Sequence, residues 1–385
     1  MRIKRICVVA DAYPYRESNA MVFVRELVFE LAKKGVECSV IVPQMVHPGR
    51  KKYIPEYFED NVDGNITIRV WAPKYTFFSS KIPFMSFSMK SHKKAVLRVI
   101  EENQLKPDIM YGHFIYLNGL TVVSIAKELG CKSIIACGEN TNRLLKDSKP
   151  YSSGLKYCNW KKILKCVDGI VSVSKENRDL LITNGFVDPA TSIRVFPNGV
   201  NTAVFYQRDR NASRRKLGIK EDDFVIAFVG HFIHRKGPER VDEAICGMTN
   251  VKSLFIGKGD FVPKSDCIYC GAVQHDELPE YLSAADVFVL PTTGEGCCNA
   301  IIEAISCGLP VISSIGKFND DILDDSISLR VNPLNVEEIH NAICELYTDK
   351  YMLECMRKNT LDYKEKFSLE QRAINILEFM EEVAQ

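Results

Sequence analysis

No apolar run in this 385-residue chain approaches the roughly 18 residues that a membrane-spanning helix needs. No export signal is expected either. In MRIKRICVVADAY the apolar run stops at Asp11, too soon for a signal peptide, and the stretch reads as a first strand. The fourteen cysteines are scattered and follow no export signal, which points to reduced thiols in a cytosol and away from a disulfide framework. Repeats of a fixed solenoid period and low-complexity tracts are absent. So is an Asp-x-Asp motif in a suitable loop, since the Asp pairs at 222–223 and 320–321 sit in surface-like sequence. A strongly basic balance is lacking too: with a pI near 7.5 and no recognisable binding module, nucleic acid is a poor partner.

What is present suits a globular protein of two domains: 46% hydrophobic residues, 26% charged, and a length beyond one ordinary core. The net charge of +1 conceals an asymmetry. Residues 1–190 hold 29 Lys and Arg against 19 Asp and Glu, whereas residues 191–385 hold 21 against 30. The halves therefore face different partners or attract one another.

Short apolar runs alternate with amphipathic segments. ICVVA precedes a helical pattern of Ala20, Val24, Leu27, Val28 and Leu31, and CSVIV follows. DIMYGHF, SIIACG, GIVSVS and IRVFPNG continue the series. After a polar break it restarts with FVIAFVG, KSLFIGKG, CIYCG, DVFVLP and LPVIS. Apolar strands without polar alternation indicate parallel sheets buried on both faces, and strand–helix alternation indicates doubly wound α/β units. Two Rossmann-like domains facing a central cleft are expected. Residues 1–200 with a returning C-terminal helix near 367–385 form one, and residues 201–366 form the other.

Ligands of such sheets bind beyond the carboxyl ends of the strands. GEGCCNAIIEAISCGLP, Gly294 to Pro310, is a loop after the strand DVFVLP followed by a helix that stops at Cys307-Gly308. Its loop offers backbone N–H groups at a helix start, and Glu295 and Glu303, eight apart, can accept hydrogen bonds from vicinal hydroxyls. Cys297, Cys298 and Cys307 lack zinc-ligand spacing and read as small packing residues, so no metal site is expected. Cys267 and Cys270 of CIYC lie on a strand, where residues three apart point to opposite faces. In FVGHFIHRKGPERVDEAI, Arg235 and Lys236 follow a strand and suit a diphosphate, though solvated basic turns are common.

The succession RKG, FIGKGD, GAVQHDELPEYLSAADVFVLPT and GEGCCNAIIEAISCGLPVI resembles the C-terminal half of retaining glycosyltransferases of family 4, with the glycosyltransferase B fold. Glu295 and Glu303 fit that family's E-x7-E signature. VVADAYPYRESNAMVFVRELVFELAKKGVECSVIV, PDIMYGHFIYLNGL and IRVFPNGVNTAVF resemble its N-terminal half more loosely. The resemblance implies a donor site in which Glu303 binds the ribose hydroxyls and Glu295 the sugar hydroxyls. Gly296, Cys297, Cys298 and Asn299 would line sugar and phosphate, and Lys236 with Arg235 would neutralise the departing diphosphate. Gly230 and His231 belong to the same site, with His231 standing where the family often has arginine. His113 would lie beside the anomeric centre, although a histidine at a strand end is commonly structural. On the acceptor side, Ser18, Asn19 and Ala20 replace a usual glycine pair, and Cys137-Gly138 with Glu139 and Asn140 replaces a usual histidine-glycine pair.

The implied reaction is sugar transfer from a nucleotide sugar, UDP-linked by the family's habit with GDP open, to a glycan or lipid-linked saccharide. Cell-surface polysaccharide or glycolipid synthesis is the expected setting. Retention is implied by the family alone, with the leaving phosphate oxygen taking the acceptor's proton. Neither a metal nor another cofactor is expected, because the two cations can do the metal's electrostatic work. KYTFFSSKIPFMSFSMKSHKK and KYCNWKKILK mix cations with aromatics and could dock an anionic membrane, placing the protein in the cytoplasm with peripheral contact at the inner face. Two alternatives stay open: a small-molecule glycosyltransferase or sugar-phosphate synthase, and a non-catalytic nucleotide-sugar-binding subunit of the same fold.

Overall fold

Strands without polar alternation must be covered on both faces, and β1 (Arg5–Val9) is: Ile6, Cys7, Val8 and Val9 are all buried. The computed structural model describes residues 2–16, 20–46, 54–62, 64–77, 84–139, 160–363 and 365–385. Asn19 and Asn140, named above as acceptor-side candidates, lie outside the described residues. The chain divides into two compact units, residues 1–197 with 372–385, and residues 198–371.

After β1, the first unit's strands are β2 (Glu37–Ile41), β3 (Gln44–Val46), β4 (Tyr57–Val62), β5 (Ile66–Trp71), β6 (Lys74–Thr76), β7 (Ile109–His113), β8 (Lys132–Cys137), β9 (Gly169–Ser172) and β10 (Ser192–Val195). Among the described residues they form an eight-stranded sheet in the order β10-β9-β8-β7-β1-β2-β5-β4 and a separate pair, β3 with β6. All pairings are parallel except that of β4 with β5. Side chains of β1 and β2 alternate between two cores. Ile6, Val8 and Val40 meet Val24, Leu27 and Leu31 of helix Val22–Lys33, whereas Cys7, Val9 and Ile41 meet Val96, Val99, Val122 and Ile125 on helices Phe84–Glu102 and Leu120–Leu129. Ala20, placed on the first helix by its spacing, instead precedes that helix and is exposed. The C-terminal helix Leu369–Val383 returns Ala373, Ile376, Phe379 and Met380 to this unit's core.

The second unit holds β11 (Phe224–Val229), β12 (Val251–Ile256), β13 (Cys267–Gly271), β14 (Val287–Leu290), β15 (Val311–Ser314) and β16 (Ser328–Val331), all parallel, in the order β13-β12-β11-β14-β15-β16. One buried carboxylate organises its underside. Asp286 accepts from Arg214 at 2.7 Å, from the amide of Val225 at 2.7 Å and from Arg357 at 3.4 Å, and it also pairs with Arg210.

Five strands escape the sequence pattern, the three-residue β3 and β6 among them. β4, YFEDNV, is a half-exposed antiparallel edge strand whose Asp60 accepts from Arg25 at 2.6 and 2.9 Å and from Tyr13 at 2.9 Å. Its partner β5 (ITIRVW) interleaves Thr67 and Arg69 with its apolar residues and so forms no continuous apolar run, and β16 (SLRV) has only four residues.

Candidate functional site

In the second unit the chain must turn from β11 into helix Pro238–Ile245 within a few residues. Gly237 permits it by adopting a left-handed conformation (φ 77°), where a Cβ would also strike the Arg240 guanidinium. Just before that turn Lys236 is buried, and Arg235 is half-buried beside it. The loop after β14 comes to meet them, tied by the amide of Thr293 donating to the carbonyl of Arg235 at 2.9 Å. One carboxylate oxygen, Glu295 Oε1, collects the donors. Lys236 Nζ lies 2.7 Å away, Thr292 Oγ1 donates at 2.9 Å, and Arg235 Nη1 pairs with it while donating to the Gly294 carbonyl at 2.5 Å. Burial pulls the Lys236 pKa down, but nearby negative charge, that of the Cys298 sulfur where it ionises and that of the Glu295 carboxylate, more than offsets this, and the ammonium is held above its usual range.

Helix Asn299–Ser306 starts at Cys298, whose side chain makes no capping bond; the amide of Ile301 donates to the Cys298 carbonyl at 3.2 Å, and the amides of Asn299 and Ala300 lie ahead of the first intrahelical bond. That is the anion-seeking end of a helix. The helix stops as read from the sequence, at Cys307 and a left-handed Gly308 (φ 82°). Gly296 is buried at the entrance to this turn. Cys298 Sγ lies 3.9 Å from Lys236 Nζ, and burial raises its pKa, so it is a protonated packing group despite the cation. Cys297 Sγ accepts from the amide of Asn198 at 3.4 Å, and Asn198 Nδ2 donates to Asn299 Oδ1 at 2.7 Å. Glu303, on the second turn, has Oε1 3.1 Å from His275 Nε2, and the His275 ring lies 4.9 Å from that of Phe205. Gly230 backs the stem of Lys236, and His231 is exposed with its carbonyl accepting from the amide of Ile233.

The first unit holds a second cluster at the end of β7. Gly112 and Gly119 touch: a Cβ on Gly112 would lie 2.8 Å from the Gly119 Cα. Between them the chain makes an irregular turn, Ile115–Gly119, entered through Phe114 at φ 66° and extended at Tyr116 (φ −87°, ψ 135°). This presses His113 among the rings of Tyr111, Phe23 and Phe114, at centroid distances of 5.2, 5.8 and 6.3 Å. His113 is 4% exposed, and its Nε2 has no hydrogen-bond partner among the described residues. Burial, helped by the positive charge of Arg372, pushes its pKa down to about 3, so the ring is neutral at physiological pH. Glu139 Oε1 accepts the amide of Ile115 at 2.5 Å and its carbonyl accepts Asn177 Nδ2 at 2.9 Å, so Glu139 fixes the turn that follows His113. Asn118 Nδ2 donates to Asp11 at 2.7 Å and to the His113 carbonyl at 3.0 Å.

The structure thus brings Arg235, Lys236, Glu295 and Cys298 together, joins Cys297 to Asn299 through Asn198, and places His113 and Glu139 on one turn. Thr292, Asn198, His275, Asn118 and Arg372 were not read as site residues. Their partners lie far away in sequence or, for Thr292, in a stretch whose hydroxyl carries no distinguishing pattern. Among the described residues, no three His, Cys, Asp or Glu side chains converge closely enough to hold a metal ion. No helix of those residues is long and apolar enough to cross a membrane.

Two family profiles match in tandem: "Glycosyltransferase Family 4" over residues 20–204 and "Glycosyl transferases group 1" over residues 209–363. A Bacillus subtilis (strain 168) glycosyltransferase ascribed to teichuronic acid biosynthesis, TuaC, is 25% identical over 352 residues, covering 88% of each chain. A UDP-Gal:alpha-D-GlcNAc-diphosphoundecaprenol alpha-1,3-galactosyltransferase of Escherichia coli is 29% identical over 214 residues, 51% of this chain and 55% of that one. Among solved structures, sucrose-phosphate synthase from Thermosynechococcus elongatus superposes with a TM-score of 0.78 at 18% identity, covering 99% of both chains. Anabaena HepE in complex with UDP superposes with a TM-score of 0.74 at 14% identity, over 98% of this chain and all of that one.

Proposed function

Because the chain belongs to the family 4, group 1 glycosyltransferases and has their glycosyltransferase B fold, we propose that it moves a sugar from a UDP-linked donor to a saccharide or lipid-linked acceptor in polysaccharide or glycolipid synthesis, with retention and without a metal. The observation that carries the donor half is the convergence of Lys236, Arg235, Thr292 and Glu295 beside an uncapped helix start, with Glu303 one turn into that helix. The two cations and the first-turn amides stabilise the charge that grows on the diphosphate as the glycosidic bond breaks. Glu295 and Glu303 accept hydrogen bonds from the sugar and ribose hydroxyls. HepE, which shares the fold, is known in complex with UDP and with UDP-glucose, and this supports the choice of nucleotide.

On the acceptor side, His113 is held neutral with Nε2 unpartnered among the described residues, so it can accept or donate one hydrogen bond at the reacting sugar without bringing a charge. It is not a base for the acceptor hydroxyl: a ring whose conjugate acid has a pKa of about 3 takes up a proton poorly. Same-face attack, with the leaving phosphate oxygen taking the acceptor's proton, requires no such base. A polymeric or lipid-linked acceptor is supported by the relatives: TuaC is ascribed to teichuronic acid biosynthesis, and the galactosyltransferase is named for a diphosphoundecaprenol-linked GlcNAc. The solvent face of helix Phe84–Glu102 adds to this: Phe87, Lys90, Lys94 and Arg98 are exposed at helical spacing and could rest on an anionic membrane. Lys93 is half-buried and paired with Glu128, so it does not belong to that face.

The test is a thermal-shift and transfer screen against nucleotide sugars. A bound donor raises the melting temperature, and Lys236→Ala abolishes both the shift and turnover. No shift with any nucleotide sugar would overturn the reading. Flotation with anionic vesicles tests the membrane contact, which is wrong if the joint change of Lys90, Lys94 and Arg98 to Glu leaves retention unaltered.

A further inference from the structure

We infer that His275 is a positioning residue that sets the site's preference for ribose over deoxyribose, acting through Glu303. The inference rests on the reading of Glu303 as the ribose-binding carboxylate. Glu303 stands on helix Asn299–Ser306, and His275 stands on the loop that follows β13, twenty-eight residues earlier in the chain. The two meet with Nε2 3.1 Å from Oε1. The imidazole is in turn braced by the ring of Phe205, which is buried and reaches the site from the segment that opens the second unit. Three stretches remote in sequence therefore determine where one carboxylate points.

The consequence follows from counting acceptors. An ionised carboxylate has about four lone-pair positions on two oxygens. A vicinal diol is gripped best when both of its O–H groups find acceptors at a fixed spacing, and that requires the carboxylate plane to be set before the ligand arrives. A free glutamate has rotamer freedom to lose on binding. With Nε2–H donating to Oε1, one lone pair is used and the plane is held, leaving Oε2 and the second lone pair of Oε1 for the two hydroxyls. Glu303 is mostly buried, its side chain 13% exposed, whereas His275 is 37% exposed. The histidine thus stands on the solvent side of the pair and gives up little by being fixed. Neither residue touches the diphosphate cluster around Lys236, so the effect belongs to ligand recognition and leaves leaving-group stabilisation untouched.

The test compares binding of UDP and 2′-deoxy-UDP, and of GDP and 2′-deoxy-GDP, by calorimetry on the full chain, alongside KM and kcat for the donor the protein turns over. The wild-type chain should favour the ribonucleotide by about tenfold, the value of one charged hydrogen bond lost. Glu303→Ala should remove that preference. His275→Ala should reduce it to about twofold and raise the donor KM with kcat unchanged, and His275→Gln, whose amide keeps a donor, should restore most of it. Melting curves of both histidine variants establish that they fold. If Glu303→Ala keeps the wild-type preference, or no nucleotide binds, the reading of Glu303 fails and the inference falls with it. If Glu303→Ala loses the preference while His275→Ala keeps it, the reading of Glu303 stands and the inference is wrong.

Discussion

At the scale of single residues, the proposed donor site is a matter of how many donors share one oxygen. Glu295 Oε1 takes Lys236, Arg235 and Thr292 together, so in the donor-free chain one of the two positive charges is already offset by the carboxylate next to them. An incoming diphosphate must compete with that internal anion. Glu295→Gln removes the competitor's charge while keeping its size, and the result should be divided. Inorganic pyrophosphate or UDP should bind several-fold tighter, because the cations lose their partner. Turnover of the sugar donor should fall by about tenfold or more, because a neutral amide makes a weaker bond to the sugar hydroxyls. Calorimetry with pyrophosphate and steady-state rates with donor measure the two halves, and undiminished turnover with weaker pyrophosphate binding would reverse the assignment. The two glutamates were legible in the sequence because their spacing and their place between strand and helix form a pattern. The cysteines crowded around them were the more conspicuous feature, yet Cys298 and Cys307 are simply buried, with thiol pKa values raised first of all by desolvation. His275 and Asn198 were not legible, since nothing in a string of letters ties a histidine to a glutamate twenty-eight positions on, or an asparagine to a cysteine ninety-nine positions on.

At the scale of elements, the instructive segment is β7 with the turn behind it. DIMYGHF was read as a strand with His113 near its end, and the strand is present as β7. The irregular turn that follows it was not read, because its cause is a contact: Gly112 and Gly119 pack backbone against backbone, and Phe114 accepts a positive φ to make room. A non-glycine residue with positive φ is uncommon and costs energy, which the rest of the turn must offset. Gly112→Ala should therefore destabilise the first unit by about 1–3 kcal/mol, the usual range for forcing an extra methyl into a packed site. It should also displace His113, so activity should fall even at temperatures where the variant is folded. Urea denaturation and turnover of the folded variant check the two parts, and a variant with unchanged midpoint and rate would show that the turn has slack. The elements that stayed illegible were those whose patterning is weak. β4 is charged and lies at a sheet edge, and β16 has four residues.

At the scale of the whole molecule, the restart of the strand pattern after the polar break was readable, and two compact units are found. What the pattern could not carry is the electrostatic character of each interior. The first unit buries two neutral histidines, His92 and His113, with pKa values pushed down to about 4 and about 3, chiefly by desolvation. In the unfolded chain both titrate near 6.5. The unfolded state therefore binds more protons than the native state between those limits, and stability is complete above about pH 6.5 and lost as the pH falls towards 4. His92 is the cleaner reporter, because it lies outside the proposed machinery, with Nδ1 2.9 Å from Thr121 Oγ1 and its ring against Tyr75. Its shift alone corresponds to about 3 kcal/mol across that window, at about 1.4 kcal/mol per unit. His92→Gln should lower stability at pH 7.5 by losing the Tyr75 contact, yet flatten the decline between pH 7.5 and pH 5. The variant's penalty should therefore shrink, or change sign, in acid. Denaturant midpoints at the two pH values decide the matter. An equal penalty at both would mean that His92 is protonated in the native state and that the acid sensitivity of this unit has another source.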